Sequence, residues 1–275
     1  MNSSSLFVQR PRPQPEPIRR VAVVSHGRPG TLGDALARVE QRAGAAGVEV
    51  VDVAADAADL ILALGGDGTM LRALRSTLGR PAPVFGVRYG RVGFLTSAES
   101  DELETALERV FSGDFRVVEL CTLGVRLGRQ THAAINDVVV TSSEPGRMVE
   151  LGWEIEGEDL GEQPCDGMIC CTPTGSTAYN LSNGGPVMMW GLDAMAMTFV
   201  APHSLHARPL VVPRGLNLRV TNRTADRRVS VLVDGHGVGE LAADGPLDVG
   251  LGDEFCQLAL LPEVTFFTRY HNVFP

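Results

Sequence analysis

The first place in this sequence where chemistry can be expected is an acid inside a glycine-rich turn. Residues 65–69 read Gly-Gly-Asp-Gly-Thr and follow the wholly apolar run 60–64. Glycines let a backbone approach a phosphate closely, and the first N–H groups of a following helix attract an anion. Asp67 in such a turn could either hold Mg²⁺ or accept a proton from an attacking hydroxyl group. An ordinary tight turn with an Asp cap is the open alternative.

A second polar cluster lies at residues 172–179, after the apolar segment 168–171. It contains four serine or threonine hydroxyl groups, a glycine and an aromatic ring. Tyr179 is able to stack on a base, while the hydroxyl groups and the backbone amides are able to bind ribose and phosphate. A turn into a helix capped by Ser176 or Thr177 would explain the same residues and stays open.

The elements around the first turn alternate between apolar strands and helical stretches. Strands are predicted over residues 21–25, 48–53, 60–64 and 84–87, and helices over 32–44, 70–78 and 101–111. Alternation of this kind indicates a parallel sheet covered by helices, whose ligands bind at the carboxyl ends of the strands. We therefore expect an α/β N-terminal domain with a parallel sheet over residues 18–118.

Beyond residue 119 the apolar segments are short and separated by Gly, Pro, Asn or Asp. Strands are predicted over residues 123–127, 134–141, 149–155, 168–172, 196–200, 216–221 and 229–233. The pattern indicates a β-rich C-terminal domain over residues 119–258. Four aromatic residues in the last stretch predict a packed segment, 259–275, that returns to the first domain. The proline-rich residues 1–17 are expected to form a flexible tail.

Charge and composition argue against several classes of protein. The net charge is −9, so the basic surface of a general nucleic-acid binder is not expected. The longest apolar stretch is far shorter than the ~20 residues that a membrane span needs. Without the apolar core of a signal peptide, the chain is expected to be cytoplasmic, with no membrane or nucleic-acid partner. Its five cysteines are expected to be reduced packing residues, with Cys170 and Cys171 on opposite faces of a strand.

Taken together, the motifs resemble those of the NAD kinase family and occur in that family's order. The resemblance covers roughly residues 20–275. It rests on the segments 65–69, 86–95, 136–137, 166–167, 172–179, 184–186, 202–205, 208–209 and 234–235. The Gly-Gly-Asp-Gly turn alone is not specific, because lipid kinases and phosphofructokinases carry similar turns. The run Thr-Pro-Thr-Gly-Ser-Thr-Ala-Tyr is much more restrictive, and it implies the two-domain fold of that family.

The resemblance also implies roles for individual residues. Asp67 would be the catalytic acid/base and an organiser of Mg²⁺ or another divalent cation, and Arg72 would reach the nucleotide phosphates. Gly66 and Gly68 would line the turn. Residues of the second domain would bind the dinucleotide: Asn136, Asp137, Arg147, Asp166, Thr174, Thr177, Ala178, Tyr179 and Ser182. Of these, Asp166 would recognise the nicotinamide end, and the last four would hold the adenosine part.

The implied reaction transfers a phosphoryl group from ATP or polyphosphate to the 2′-hydroxyl of the adenosine ribose of NAD, giving NADP. Relatives are dimers or tetramers, so a homodimer or homotetramer is expected. The pair Arg88-Tyr89 departs from the family's usual Asn-Leu type, which leaves the contacts to the phosphate donor open. Two alternatives remain: a lipid kinase of the sphingosine or diacylglycerol type, and a dinucleotide-binding sensor without kinase activity.

Overall fold

The computed structural model describes residues 17–26, 29–54, 57–90, 93–144, 146–225 and 227–274, and of residues 29–32 the backbone only. The chain forms two compact units. The first unit holds the described residues up to Thr77, Pro81–Val118 and those from Gln257 onward, and the second holds Leu78–Arg80 and Glu119–Cys256. Apart from residue 17, the predicted flexible tail lies outside the described residues.

The chain begins with alternating strands and helices and continues with strands almost throughout. The first elements are β1 (Arg20–Ser25), α1 (Pro29–Ala46), β2 (Glu49–Val51), β3 (Leu60–Gly65), α2 (Asp67–Ser76), β4 (Val84–Arg88), β5 (Ala98–Glu99), a 3₁₀ turn (Ser100–Glu102) and α3 (Leu103–Phe111). The later elements are β6 (Arg116–Leu127), β7 (Gln130–Ala134), β8 (Asp137–Ser142), β9 (Val149–Ile155), β10 (Glu158–Cys165), β11 (Gly167–Cys171), a 3₁₀ turn (Gly175–Thr177), α4 (Tyr179–Ser182), β12 (Ala194–Val200), β13 (Leu210–Pro213), β14 (Leu218–Asn222), β15 (Val229–Val233), β16 (His236–Leu241), β17 (Pro246–Leu260) and α5 (Phe266–Val273).

The first unit is the predicted α/β domain with a parallel sheet. Strands β2, β1, β3 and β4 lie side by side in that order, and each neighbouring pair is parallel. The end of β17 also pairs in parallel with β4, through Leu258 and Ala259. All six residues of β3 are buried. The wholly apolar run at 60–64 therefore forms an interior strand, as its composition predicts.

The second unit is the predicted β-rich domain and consists of antiparallel pairings. One sheet has the order β13-β12-β11-β8-β15-β16. A second set of antiparallel neighbours has the order β10-β9-β14-β17, where β17 takes part through its first residues. Side chains of these strands form one large apolar core, to which Cys170 belongs, while Cys171 belongs to a smaller cluster. The two adjacent cysteines therefore point to opposite faces, as predicted, and all five cysteines are free thiols.

Several predicted boundaries are wrong, and each error has a local cause. Helix α2 begins at Asp67 rather than at 70, because Gly66 takes the extended conformation of an N-cap. The predicted strand 134–141 is two strands, β7 and β8, interrupted at residues 135–136. Strand β10 was not predicted, since its exposed sequence contains Gly161 and Pro164. Among the described residues, no helix is long and apolar enough to cross a membrane.

Candidate active site

The carboxylate of Asp67 is held by backbone groups from a distant part of the first unit. Its Oδ2 accepts a hydrogen bond from the N–H of Phe94 at 2.8 Å, and its Oδ1 accepts one from the N–H of Leu95 at 3.1 Å. Asp67 itself is the first residue of α2, and no side chain caps that helix at Gly66. The alternative of a simple turn with an Asp cap is therefore wrong. The side chain is fixed at the carboxyl end of β3, where open α/β sheets bind ligands.

Gly93 leaves just enough room for this arrangement. A Cβ atom at Gly93 would lie 2.6 Å from the carboxyl carbon of Asp67 and closer still to Oδ1. Real Cβ atoms essentially never approach that closely, so a side chain at position 93 would force the Asp67 carboxylate to shift from the position seen here. Gly93 belongs to the segment 86–95, one of the segments that resemble the NAD kinase family, but its side-chain-free position has no predicted role.

The C-terminal helix packs behind the segment that holds Asp67. The ring of Phe94 contacts Phe266 with ring centroids 5.3 Å apart, and Phe274 with centroids 6.1 Å apart. The N–H of Leu261 also donates to the hydroxyl of Ser97 at 3.1 Å. The aromatic C-terminal residues therefore pack on the first unit, next to the backbone amide that binds Asp67.

Arg72, which was predicted to reach the nucleotide phosphates, and Arg88, whose role was left open, differ in their surroundings. Arg88, at the end of β4, makes an ion pair with Glu99. Its Nε lies 2.6 Å and its Nη2 lies 2.5 Å from Oε2 of Glu99. Arg72 lies on α2, and its side chain is exposed to solvent. Arg72 is thus free to reach toward a ligand, whereas the Arg88 guanidinium is already oriented by a carboxylate.

In the second unit, Asn136 and Asp137 lie where β7 gives way to β8 and are organised by a third residue. The carboxylate of Asp234 accepts hydrogen bonds from the N–H groups of Ile135, Asn136 and Asp137 at 3.0, 2.7 and 3.1 Å. Asp137 is buried, and this burial, together with the negative charge of Asp234, raises the pKa of its carboxyl to about 6. The buried Oδ1 of Asn136 has no hydrogen-bond partner among the described residues.

The turn at 172–179 is locked to Asn136 by its own hydroxyl groups. Thr172 donates through Oγ1 to the carbonyl of Ile135 at 2.6 Å, and its N–H donates to the carbonyl of Asn136 at 2.9 Å. Ser176 donates to the carbonyl of Pro173 at 2.7 Å and accepts from the N–H of Met188 at 2.9 Å. Both hydroxyls are completely buried, so they stabilise the turn and do not face a ligand, contrary to the prediction. Neither Ser176 nor Thr177 caps a helix here.

A glycine and a buried amide complete the turn. A Cβ at Gly175 would lie 2.5 Å from the carbonyl carbon of Asn136, so only glycine permits the contact. Asn180 was not predicted as important, yet its side chain donates to the carbonyls of Ser176 and Pro186 and accepts from the hydroxyl of Thr198 at 2.7 Å. The structure therefore brings Asn136 and Asp137 together with the 172–179 turn as one rigid group.

The remaining predicted residues of the second unit differ in how far they are exposed to solvent. Thr174 is buried, and its carbonyl accepts a hydrogen bond from the hydroxyl of Thr177 at 3.2 Å. Tyr179 and Ser182 lie on the short helix α4 and are exposed, as is Asp166 between β10 and β11. Arg147 is also exposed, and within the described part of the chain no side-chain contact links it to the turn.

A parallel α/β unit carrying a Gly-Gly-Asp-Gly turn, followed by an antiparallel β unit with a polar nucleotide-type turn, defines a two-domain kinase. Two family models match the chain: the ATP-NAD kinase N-terminal domain over residues 31–115 and the ATP-NAD kinase C-terminal domain over residues 135–260. The chain belongs to the NAD kinase family. The resemblance inferred from its motifs and the two-domain fold are therefore confirmed.

Relatives and solved structures agree with this assignment. The chain is 38% identical to the NAD kinase of Heliobacterium modesticaldum over 264 residues, which cover 94% of this chain and 87% of that protein. It is 40% identical to the NAD kinase of Gemmatimonas aurantiaca over 221 residues, covering 78% and 76%. An NAD kinase from Archaeoglobus fulgidus in complex with ATP superposes with a TM-score of 0.76 at 27% identity, covering 93% of this chain and 97% of that chain. The fold is also that of yeast NADH kinase complexed with NADH, with a TM-score of 0.83 at 21% identity, covering 94% and 87%.

Proposed function

We propose that this protein transfers the terminal phosphoryl group of ATP to the 2′-hydroxyl of the adenosine ribose of NAD, giving NADP. The observation that carries the proposal is the carboxylate of Asp67, fixed by two backbone N–H groups at the carboxyl end of a buried parallel strand. Family membership supports the choice of acceptor, and the ATP complex of the Archaeoglobus relative supports the choice of donor. Neither a lipid kinase nor a non-catalytic sensor is favoured by these similarities.

The reaction needs little from the protein beyond positioning and charge. The ribose oxygen forms a bond to the terminal phosphorus, the bond from that phosphorus to the bridging oxygen breaks, and ADP leaves. Asp67 orients the 2′-hydroxyl and accepts its proton as the new bond forms. Each carboxylate oxygen has one backbone N–H partner, which leaves further lone pairs to accept the hydroxyl.

A divalent cation such as Mg²⁺ would find a protein carboxylate beside the donor phosphates, that of Asp67. The described residues contain no group of three or more His, Cys, Asp or Glu side chains arranged to hold a metal ion. Mg²⁺ usually takes one or two carboxylates and completes its shell with substrate phosphates and water. Asp67 is the carboxylate that would hold it, and the bound cation would neutralise charge on the donor phosphates.

We propose that the second unit binds the dinucleotide. Asn136 and Asp137 would hydrogen-bond to the ribose, a task that suits the unpartnered Oδ1 of Asn136. Thr177, Ala178, Tyr179 and Ser182 would hold the adenosine part, and Thr174 would contribute to the same nucleotide-binding turn. Asp166 would recognise the nicotinamide end, and Arg147 a charged group of the dinucleotide. In the first unit, Gly66, Gly68 and Arg72 would contact donor phosphates.

Replacing Tyr179 by alanine tests the placement of the adenine base. Tyr179 as a whole residue is 45% exposed, which leaves it accessible to a stacking base. Loss of stacking is expected to weaken NAD binding by ~1–3 kcal/mol, while the apparent affinity for ATP changes little. Calorimetry measures both. Leu192→Ala is the matched control, because Leu192 has the same exposed fraction and no proposed role. Wild-type NAD affinity in Tyr179→Ala would make the turn purely structural.

The activity itself is tested by mixing the protein with NAD, ATP and Mg²⁺ and measuring NADP. A panel with polyphosphate as donor and NADH as acceptor then defines specificity. Formation of NADP with at least one pair supports the proposal. If no pair in the panel gives NADP while NAD still binds, the protein is a dinucleotide sensor instead.

We also propose that the protein is a cytoplasmic homodimer or homotetramer. Apolar side chains are exposed on strands of the second unit, among them Leu160 on β10 and Leu210 and Val211 on β13. Pairing of such surfaces between copies would cover them. Sedimentation at assay concentration is expected to show an oligomer, and a fully active monomer would contradict this.

A further inference from the structure

Arg269 of α5 is a half-buried cation, and no residue of this helix is fully buried. The Nε atom of Arg269, however, is buried and has no hydrogen-bond partner in the part of the chain that the structure describes. Burial lowers the pKa of the Arg269 guanidinium. A charged group that is removed from water without compensation costs free energy. An arginine that stays in such a place therefore calls for an explanation.

The charged groups close enough to act on Arg269 are Glu99 and Asp67, which favour its cation, and Arg88, which opposes it. Neither acid is available as a full partner. Glu99 is bound by Arg88 at 2.5 Å, and the Asp67 carboxylate is turned toward two backbone N–H groups. The result is a second guanidinium beside Arg88, near the proposed catalytic acid, with hydrogen-bond donors to spare.

Arg116 of the same unit is an arginine whose side chain is hydrogen-bonded within the fold, and it provides a comparison for Arg269. It too is half-buried, and burial lowers the pKa of its guanidinium. Its side chain, however, donates a hydrogen bond to the carbonyl of Val264, just before α5. The backbone thus accepts a hydrogen bond from one half-buried arginine, whereas the buried Nε of the other has no hydrogen-bond partner among the described residues.

The helix that carries Arg269 is anchored against the segment that binds Asp67. Phe266 and Phe274, on either side of it in the sequence, pack against Phe94, whose N–H binds Asp67. Helix α5 begins with a capping box between Thr265 and Thr268. The guanidinium is therefore carried on an ordered element that touches the Asp67-binding segment directly.

We propose that Arg269, together with Arg88, binds the phosphate chain of the donor beside Asp67. The ligand class is a polyphosphate, either the triphosphate of a nucleotide or an inorganic chain. A guanidinium presents donors in a planar fork that matches two phosphate oxygens, which a lysine cannot reproduce. That the bound polyphosphate acts as the phosphoryl donor rests on the proposed function. The binding of a polyphosphate anion by Arg269 and Arg88 does not.

Titration of inorganic tripolyphosphate into the full-length protein tests the subsite by calorimetry. Arg269→Gln is expected to weaken tripolyphosphate binding about 10-fold or more, since a hydrogen-bonded charge pair is lost. Its KM for ATP should rise by a similar factor while its KM for NAD stays unchanged. Arg269→Lys, which keeps the charge but not the fork, should fall between Gln and wild type. Arg42→Gln is the matched control, because Arg42 is an arginine of the same unit that pairs with Glu108 away from Asp67.

Arg269→Met separates a binding role from a structural one. Methionine fills the space without a half-buried charge, so the melting temperature of the Arg269→Met variant should equal or exceed that of wild type, although the variant binds tripolyphosphate more weakly. A lower melting temperature with unchanged tripolyphosphate affinity and unchanged KM for ATP would assign Arg269 to stability and overturn the proposal. If wild type makes no NADP but binds tripolyphosphate through Arg269, the subsite stands and the proposed kinase reaction falls.

Discussion

Asp67→Asn is expected to lower turnover at least ~100-fold, the range typical of removing a general base. Asparagine keeps the size of the side chain but does not accept a proton from the ribose hydroxyl. Its single amide oxygen also serves only one of the two N–H groups, from Phe94 and Leu95, that the carboxylate now binds. The expected profile is a large fall in kcat with NAD still bound, measured by NADP formation and by calorimetry.

Asp101→Asn is the matched control for this change. Asp101 is an exposed acid of the same unit, in the 3₁₀ turn before α3, and its replacement should leave turnover unchanged. The melting temperature of both variants shows whether the fold is intact. A folded Asp67→Asn protein with near-normal turnover would remove Asp67 from the proton transfer.

Gly93→Ala is expected to produce a loss of similar size, ~100-fold in kcat, although it removes no functional group. The added methyl group would occupy the space of the Asp67 carboxylate, which must rotate away from its two N–H partners. A displacement of about 1 Å at a reacting group is enough for a loss of that order. Affinity for NAD should be retained, because the proposed dinucleotide contacts lie in the other unit.

Gly44→Ala provides the comparison, since it adds the same methyl group within the same unit. A Cβ at Gly44 meets no atom within 4 Å, and the residue lies in helix α1, where alanine is favoured. Its kcat should be that of wild type and its melting temperature equal or higher. If Gly93→Ala is folded and fully active, the carboxylate has room to move, and the orientation seen here is not required.

Local sequence was sufficient to predict the turn that carries Asp67, because everything that defines it is contiguous. An apolar run, three glycines and a helical stretch follow one another between residues 60 and 76, and each has a direct structural meaning. The same holds for the parallel sheet, whose strands alternate with helices. The adjacent cysteines of β11 were likewise predictable from the two-residue period of a strand.

The contacts that orient Asp67 could not be predicted in the same way. They come from the backbone N–H groups of Phe94 and Leu95, 27 and 28 residues away in the sequence. Nearly every residue has a backbone N–H, so the amino-acid sequence does not show which of them binds Asp67. The only local sign was Gly93, one of many glycines in the chain. In the second unit, the hydroxyls of Thr172 and Ser176 looked suited to a ligand, but the fold uses them to close the turn. Local composition does not distinguish these two uses.

The long strand β17 has a consequence for how the protein comes into being. It leads from the second unit back into the first, so the first unit is assembled from chain segments separated by residues 119–256. During synthesis, the Gly-Gly-Asp-Gly turn leaves the ribosome early. The residues that complete the first unit emerge only after the whole second unit: Leu258 and Ala259, which pair with β4, and Phe266, which packs against Phe94. Pairing between segments so distant in sequence forms slowly. The end of β4 can pair early with β5, but Val84 and Phe85 at its start stay unpaired on that side until β17 emerges. This part of the β4 edge is therefore the expected point of chaperone contact or aggregation during synthesis.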